Sequence, residues 1–146
     1  MKRYYRLLIL LPWLFMAPYV FASPADKPFA VEKVVLQISD DDAYKQTLVL
    51  NVASNLLKHY GQDKIEIEIV AFGPGMRLLF KENSNSDRMN ALNSSGVRFA
   101  ACQNTIQGMA KQLGYEPDLQ SIATPVSAGV VRIIDLENQG YKLVKP

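Results

Sequence analysis

Apolar and polar positions along the chain alternate between two periods, one near two residues and one near 3.6. "EKVVLQIS" (32–39) is a short β-branched run of the kind that forms a buried strand. In the stretch 40–61, Leu48, Val52, Leu56 and Tyr60 recur at a helical period with Val49 and Leu57 beside them, and Lys58, His59 and Gly61 mark its end. "KIEIEIVAF" (64–72) alternates isoleucine with glutamate, a strand pattern closed by Gly73-Pro74-Gly75. A short helical stretch is expected at 76–80, a polar turn at 81–87 and a modest helix at 88–96. "VRFAA" (97–101) reads as a third strand. The helix at 104–114 carries Ile106, Met109, Ala110 and Leu113 on one side and stops at Gly114. A short strand at 121–126, a helix at 127–140 with Val130, Val131, Ile133 and Ile134, and a last strand at 141–146 complete the pattern. Tyr44, Tyr60 and Tyr115 are read as packing residues.

Strands alternating with helices at this spacing imply βαβ crossovers, hence an α/β domain with a mostly parallel sheet and helices on both faces. Ligands and chemistry in such sheets collect beyond the carboxyl ends of the strands. Three segments fall there: Asp40–Asp42, Gly73–Gly75 and Cys102–Thr105.

Cys102 is the single cysteine, so no internal disulfide is available to the chain. Placed between strand and helix, its thiol lies near free backbone N–H groups, which favour the thiolate and lower its pKa. Asn104 or Thr105 would cap the helix and leave the sulfur uncovered. Two readings stand: a reactive thiol, or a buried one acting as a small apolar residue. The acidic run Asp40, Asp41 and Asp42 is read as the N-cap and first turn of a helix, with a hard cation as the other possibility. Gly73 and Gly75 match neither phosphate-loop spacing and are read as a tight turn, with Arg77 available as a positive charge for a neighbouring site. His59 is the only histidine, so a histidine-rich metal site is excluded. No cofactor and no bound metal are expected.

The amino terminus changes the charge picture. Lys2, Arg3 and Arg6 precede an apolar run from Leu7 to Phe21, and Val20 and Ala22 suit a cleavage site. This is the pattern of a secretory signal peptide over residues 1–22, with a periplasmic destination and no stable membrane anchor after cleavage. Pro12 and Pro18 interrupt a run shorter than the roughly 20 residues a spanning helix needs, although an uncleaved anchor stays open. Residues 23–31 read as a linker and 32–146 as one domain. The whole chain has 16 Lys and Arg against 14 Asp and Glu. Three of those bases belong to the leader, so the remainder is close to neutral and lacks the positive charge of a nucleic-acid binder.

Taken in order, "ISDDD", "LNVASNLLKHYG", "IEIVAFGPGMRLL", "GVRFAACQNT" and "AGVVRIIDLENQGYKLVKP" resemble the DsrE/DsrF-like family, in particular its small exported members. The resemblance implies a single-domain three-layer sandwich with a five-stranded parallel sheet in a flavodoxin-like arrangement. It also implies a homo-oligomer, trimeric or hexameric. In sulfur-relay members a cysteine at the corresponding strand end carries persulfide sulfur, and Cys102 matches that position; "CQNTIQG" lacks the basic residue and glycine that follow the cysteine in relay subunits. The implied function is that of a periplasmic sulfur carrier working with a sulfur donor or acceptor protein. The site would be Cys102, supported by Asp40, Gly73, Gly75, Asn104 and Thr105. The alternative is a noncatalytic, oligomeric small-molecule-binding or accessory protein.

Overall fold

The computed structural model describes residues 27–146. The segment read as a signal peptide, with its expected cleavage site, therefore lies outside the described residues. Lys27 to Val31, the end of the segment read as linker, run along the domain: Val31 donates its N–H to Lys64 O at 2.9 Å, and the Lys27 amine reaches Gln62 O and Ser95 O.

The elements are β1 (Glu32–Ile38), α1 (Ala43–Tyr60), β2 (Ile65–Ala71), a 3₁₀ turn (Gly73–Leu79), α2 (Ser86–Ser94), β3 (Val97–Cys102), α3 (Gln103–Leu113), β4 (Ala123–Val126), α4 (Gly129–Asn138) and β5 (Lys142–Val144). All four strand pairings are parallel, in the order β4-β3-β2-β1-β5. This is the expected five-stranded α/β sandwich. Its topology has a consequence for the layers. The first three crossovers advance the sheet one strand at a time, while the last returns from β4 to the far side of β1. Right-handed crossovers running in opposite directions lie on opposite faces, so among the described residues α4 is the helix that covers the second face.

The pleat distributes side chains accordingly. Val34, Leu36, Ile38, Ile65, Ile67, Ile69, Val97 and Phe99 form the larger core with Val49, Leu50 and Ala53 of α1 and Met76, Leu79 and Met89. Val35, Val70 and Ala100 point the other way and meet Ile133, Leu136 and Tyr141.

The glutamates of β2 are the largest departure from the sequence pattern. Alternation with isoleucine places Glu66 and Glu68 on the face opposite the larger core, and a helix covers that face: Glu68 is only 2% exposed. Register supplies the countercharges. Glu68 lies opposite Arg98 on β3, and Glu66 opposite Lys33 on β1. Arg98 Nε donates to Glu68 at 2.8 Å, and Arg132 of α4 donates to the same carboxylate from Nε at 2.6 Å and Nη2 at 2.7 Å. Tyr141 donates its hydroxyl to Glu66 and accepts from Arg98 at 2.6 Å. Burial pushes Glu68 up, but the Arg132 and Arg98 hydrogen bonds hold it below the ordinary carboxylate range.

Some apolar positions lie outside the core. Tyr44 is 73% exposed and Tyr115 is 65% exposed, so these two are not the packing residues expected of them; only Tyr60 packs against the core. Leu113 of α3 and Val130, Val131 and Ile134 of α4 are also exposed.

Candidate functional site

The carboxyl ends of β1, β2 and β3 open onto a cleft of about 400 Å³. Asp41, Gly73, Pro74 and Arg77 form one side and Thr105, Gly108, Met109 and Gln112 of α3 the other. Gly108 leaves its part of the wall free of side chain, with open space where a Cβ would stand.

Each glycine of the Gly73-Pro74-Gly75 turn has a distinct task. Gly73 takes a φ of +54°, which an L side chain adopts only with strain. Gly75 packs on the end of β1, where an added Cβ would stand 2.4 Å from Ile38 O. The 3₁₀ turn is thereby held down on the sheet, with Arg77 reaching the cleft. Gly73 donates its N–H to Thr105 Oγ1 at 2.9 Å, which ties the β2 loop to the first turn of α3.

The acidic run divides three ways. Asp42 is the N-cap of α1 and accepts from Lys45 N at 2.9 Å. Asp40 pairs with Lys45 Nζ at 3.0 Å and does not line the cleft. Asp41 does line it, with Arg77 Nε 3.9 Å from its carboxylate. Among the described residues no three His, Cys, Asp or Glu side chains gather as a metal site would require.

Cys102 ends β3 and is itself the N-cap of α3, in place of Asn104 or Thr105. Its sulfur makes no cap hydrogen bond of the kind a serine oxygen makes. It is nevertheless ringed by donors. Burial pushes the thiol up, but the Thr105 hydroxyl and the backbone N–H groups of Gly129, Thr105 and Asn104 favour the thiolate more strongly, and its pKa lies below the ordinary value. Because Thr105 Oγ1 already accepts from Gly73, its own proton is left for the sulfur.

Gly129 is the member of this ring that the sequence pattern did not single out. It opens α4, whose N-cap Ala128 offers no side-chain bond. It also lies against Phe72 so closely that an added Cβ would be 2.9 Å from the ring. Two helix N-termini without side-chain caps therefore meet at one sulfur. Cys102 is 5% exposed as a residue, and Thr105 is the residue that both bounds the cleft and favours the thiolate.

The model of the DsrE/DsrF-like family matches residues 32–146. A solved structure described as a protein of unknown function from Methanobacterium thermoautotrophicum is 29% identical, with 79% of this chain and 99% of that chain covered and a TM-score of 0.71. A conserved protein of unknown function from Bacteroides thetaiotaomicron is 14% identical, with 79% of this chain and 95% of that one covered and a TM-score of 0.49. No curated protein matches the chain.

Proposed function

The chain belongs to the DsrE/DsrF-like family, and on that premise we propose that it carries sulfur as a persulfide on Cys102. The observation that carries this reading is the seat of the sulfur at the carboxyl edge of the sheet, where two helix N-termini and the Thr105 hydroxyl favour its anion.

The chemistry follows from thiolate stability. The Cys102 thiol gives its proton to solvent, and the thiolate attacks an end sulfur of an inorganic polysulfide. The new S–S bond joins Cys102 to that sulfur. The S–S bond behind it breaks, and a polysulfide one atom shorter leaves with the electron pair. Delivery reverses the roles: an acceptor thiolate attacks the outer sulfur and Cys102 departs as the thiolate. A low thiol pKa makes Cys102 a good leaving group in that second step. With one cysteine in the chain, an outside thiol or partner protein must resolve the persulfide. The leader read at residues 1–22 makes the periplasm the proposed compartment for this exchange.

Intact mass after exposure to polysulfide tests the proposal. The native protein should gain one sulfur atom, removable by cyanide, and Cys102→Ser should gain none. The low exposure of the thiol and the size of the cleft favour one other reading, a noncatalytic binding protein whose ligand sits among Asp41, Arg77 and Gln112. If iodoacetamide reaches Cys102 only after denaturation, that second reading replaces the carrier.

A further inference from the structure

The ion cluster under α4 shares a helix with one of the thiol's donors. We propose that the Glu68–Arg132 pair is a positioning device for Cys102, seating α4 so that the Gly129 N–H faces the sulfur; its use in sulfur transfer rests on the carrier reading above.

Four observations carry the inference. The Arg132 fork grips both oxygens of a carboxylate that is 2% exposed, an arrangement with a single geometry. Arg132 lies three residues after Gly129, so the pair and the donor sit about one turn apart on one rigid helix. The first turn of α4 has one other contact, Gly129 on Phe72: Ala128 provides no cap, Val130 and Val131 are exposed, and the apolar anchors Ile133 and Leu136 come later. Finally, Gly129 meets Phe72 with no room for a Cβ, and Phe72 follows Ala71, which is in register with Ala101 beside Cys102, so this close approach brings the start of α4 to the strand end that carries the sulfur. A buried ion pair adds little stability over an apolar pair of similar volume. Fixing an orientation is what it offers here.

The charged groups on the elements around the thiol are Glu66 and Glu68 on β2, Arg98 on β3, Lys111 on α3, and Arg132, Asp135 and Glu137 on α4, with Asp41 and Arg77 at the cleft. This gives a test by sign. If Glu68 and Arg132 acted on the sulfur only through space, removing the negative charge would lower the thiol midpoint and removing the positive charge would raise it. Positioning predicts that both substitutions raise it, because both release α4.

The measurement is the rate of iodoacetamide alkylation against pH in the folded full chain, with thiolate absorbance in parallel. Arg132→Met and Glu68→Gln should each move the midpoint up by about half to one pH unit, slowing alkylation below the midpoint about three- to tenfold. Arg132→Lys, which keeps the charge and loses the fork, should fall between native and Arg132→Met. Tyr141→Phe removes only the hydroxyl that joins Glu66 and Arg98, keeps the ring packed on α4, and should lower stability while leaving the midpoint in place. A lowered or unmoved midpoint in Glu68→Gln overturns the inference, as does an equal rise in Tyr141→Phe. Should Glu68→Gln not fold, Glu68→Asp keeps the charge but withdraws the carboxylate, and it is read with the same expected rise. Polysulfide loading of the same variants separates the two proposals. Loading without a shifted midpoint overturns positioning alone; a shifted midpoint with no loading in the native protein overturns the carrier alone.

Discussion

Thr105 shows how much one hydroxyl can join. It accepts from Gly73 N at 2.9 Å, bounds the cleft, and favours the Cys102 thiolate. Thr105→Val keeps the shape and removes both bonds. The part-buried Gly73 N–H then loses its partner, at a cost of about 1 kcal/mol, the net worth of one such hydrogen bond. The thiol midpoint should rise at the same time, and Thr105→Ser should restore both properties. Chemical denaturation and pH-dependent alkylation read the two effects separately. A stability loss in Thr105→Val with an unchanged midpoint would reduce Thr105 to a link between loop and helix.

At the scale of the element, the helix N-termini divide into two kinds. α1 is capped by Asp42, whose carboxylate accepts from Lys45 N, while α2, α3 and α4 have no side-chain cap. Of these three, α3 and α4 converge on the sulfur, so the free N–H groups of those two serve the site rather than helix stability alone. Asp42→Ala should cost about 1 kcal/mol and Asp42→Asn only a few tenths, since asparagine caps as well as aspartate. Urea unfolding of the two variants checks this. Similar losses from both would mean that charge against the helix dipole, and not the cap bond, holds the first turn.

The whole molecule responds to pH through the cluster on the second face. Burial and the hydrogen bond to Glu66 push the Tyr141 phenol up to about 12, partly opposed by Arg98. A group protonated more tightly in the folded state contributes stability that is complete below its unfolded value near 10 and is lost as pH rises through 12. Alkaline unfolding of the native chain should steepen across that window, and Tyr141→Phe should flatten it. Glu68 gives the opposite limb. Its carboxyl is held below 4.5, so its contribution is present above that value and disappears as pH falls through the lower, folded one. The outer side of α4 adds a second property at this scale. Val130, Val131 and Ile134 are exposed on consecutive turns and Leu143 is exposed on β5, which supports the proposed homo-oligomer. Sedimentation of the exported protein should exceed the monomer mass, and its N-terminal residue should be Ser23. A monomer at micromolar concentration, or a full-length membrane-bound chain, would reverse these two expectations.

The order of strands and helices was legible in the sequence because period is a local property: a two-residue pleat and a 3.6-residue turn each imprint on a few neighbouring positions. The same pattern points to the ends of β1, β2 and β3, and to Asp40, Gly73, Gly75, Asn104 and Thr105 as support for Cys102; of these five, Gly73 and Thr105 line the cleft. Burial was not legible in this way. The alternation of "IEIEIVA" was read as a strand, but only the return of the chain from β4 to β5 lays α4 over Glu66 and Glu68. The signal was present in Arg98 and Arg132, single charges inside the apolar runs "VRFAA" and "GVVRII". That they belong to one cluster depends on partners 30 and 64 residues away. The same distance kept Gly129 from view: its value lies in a contact with Phe72 and a donor aimed at Cys102, and neither leaves a local pattern. The acidic run is the smallest case. Three adjacent aspartates look alike in sequence, and only the tertiary turn after β1 gives one to Lys45, one to the cleft and one to the helix cap. Sequence alone determined which elements form, since that is decided within a few residues. The fold decided which charges are buried and which donors meet the sulfur, since those depend on crossovers that bring distant segments into contact.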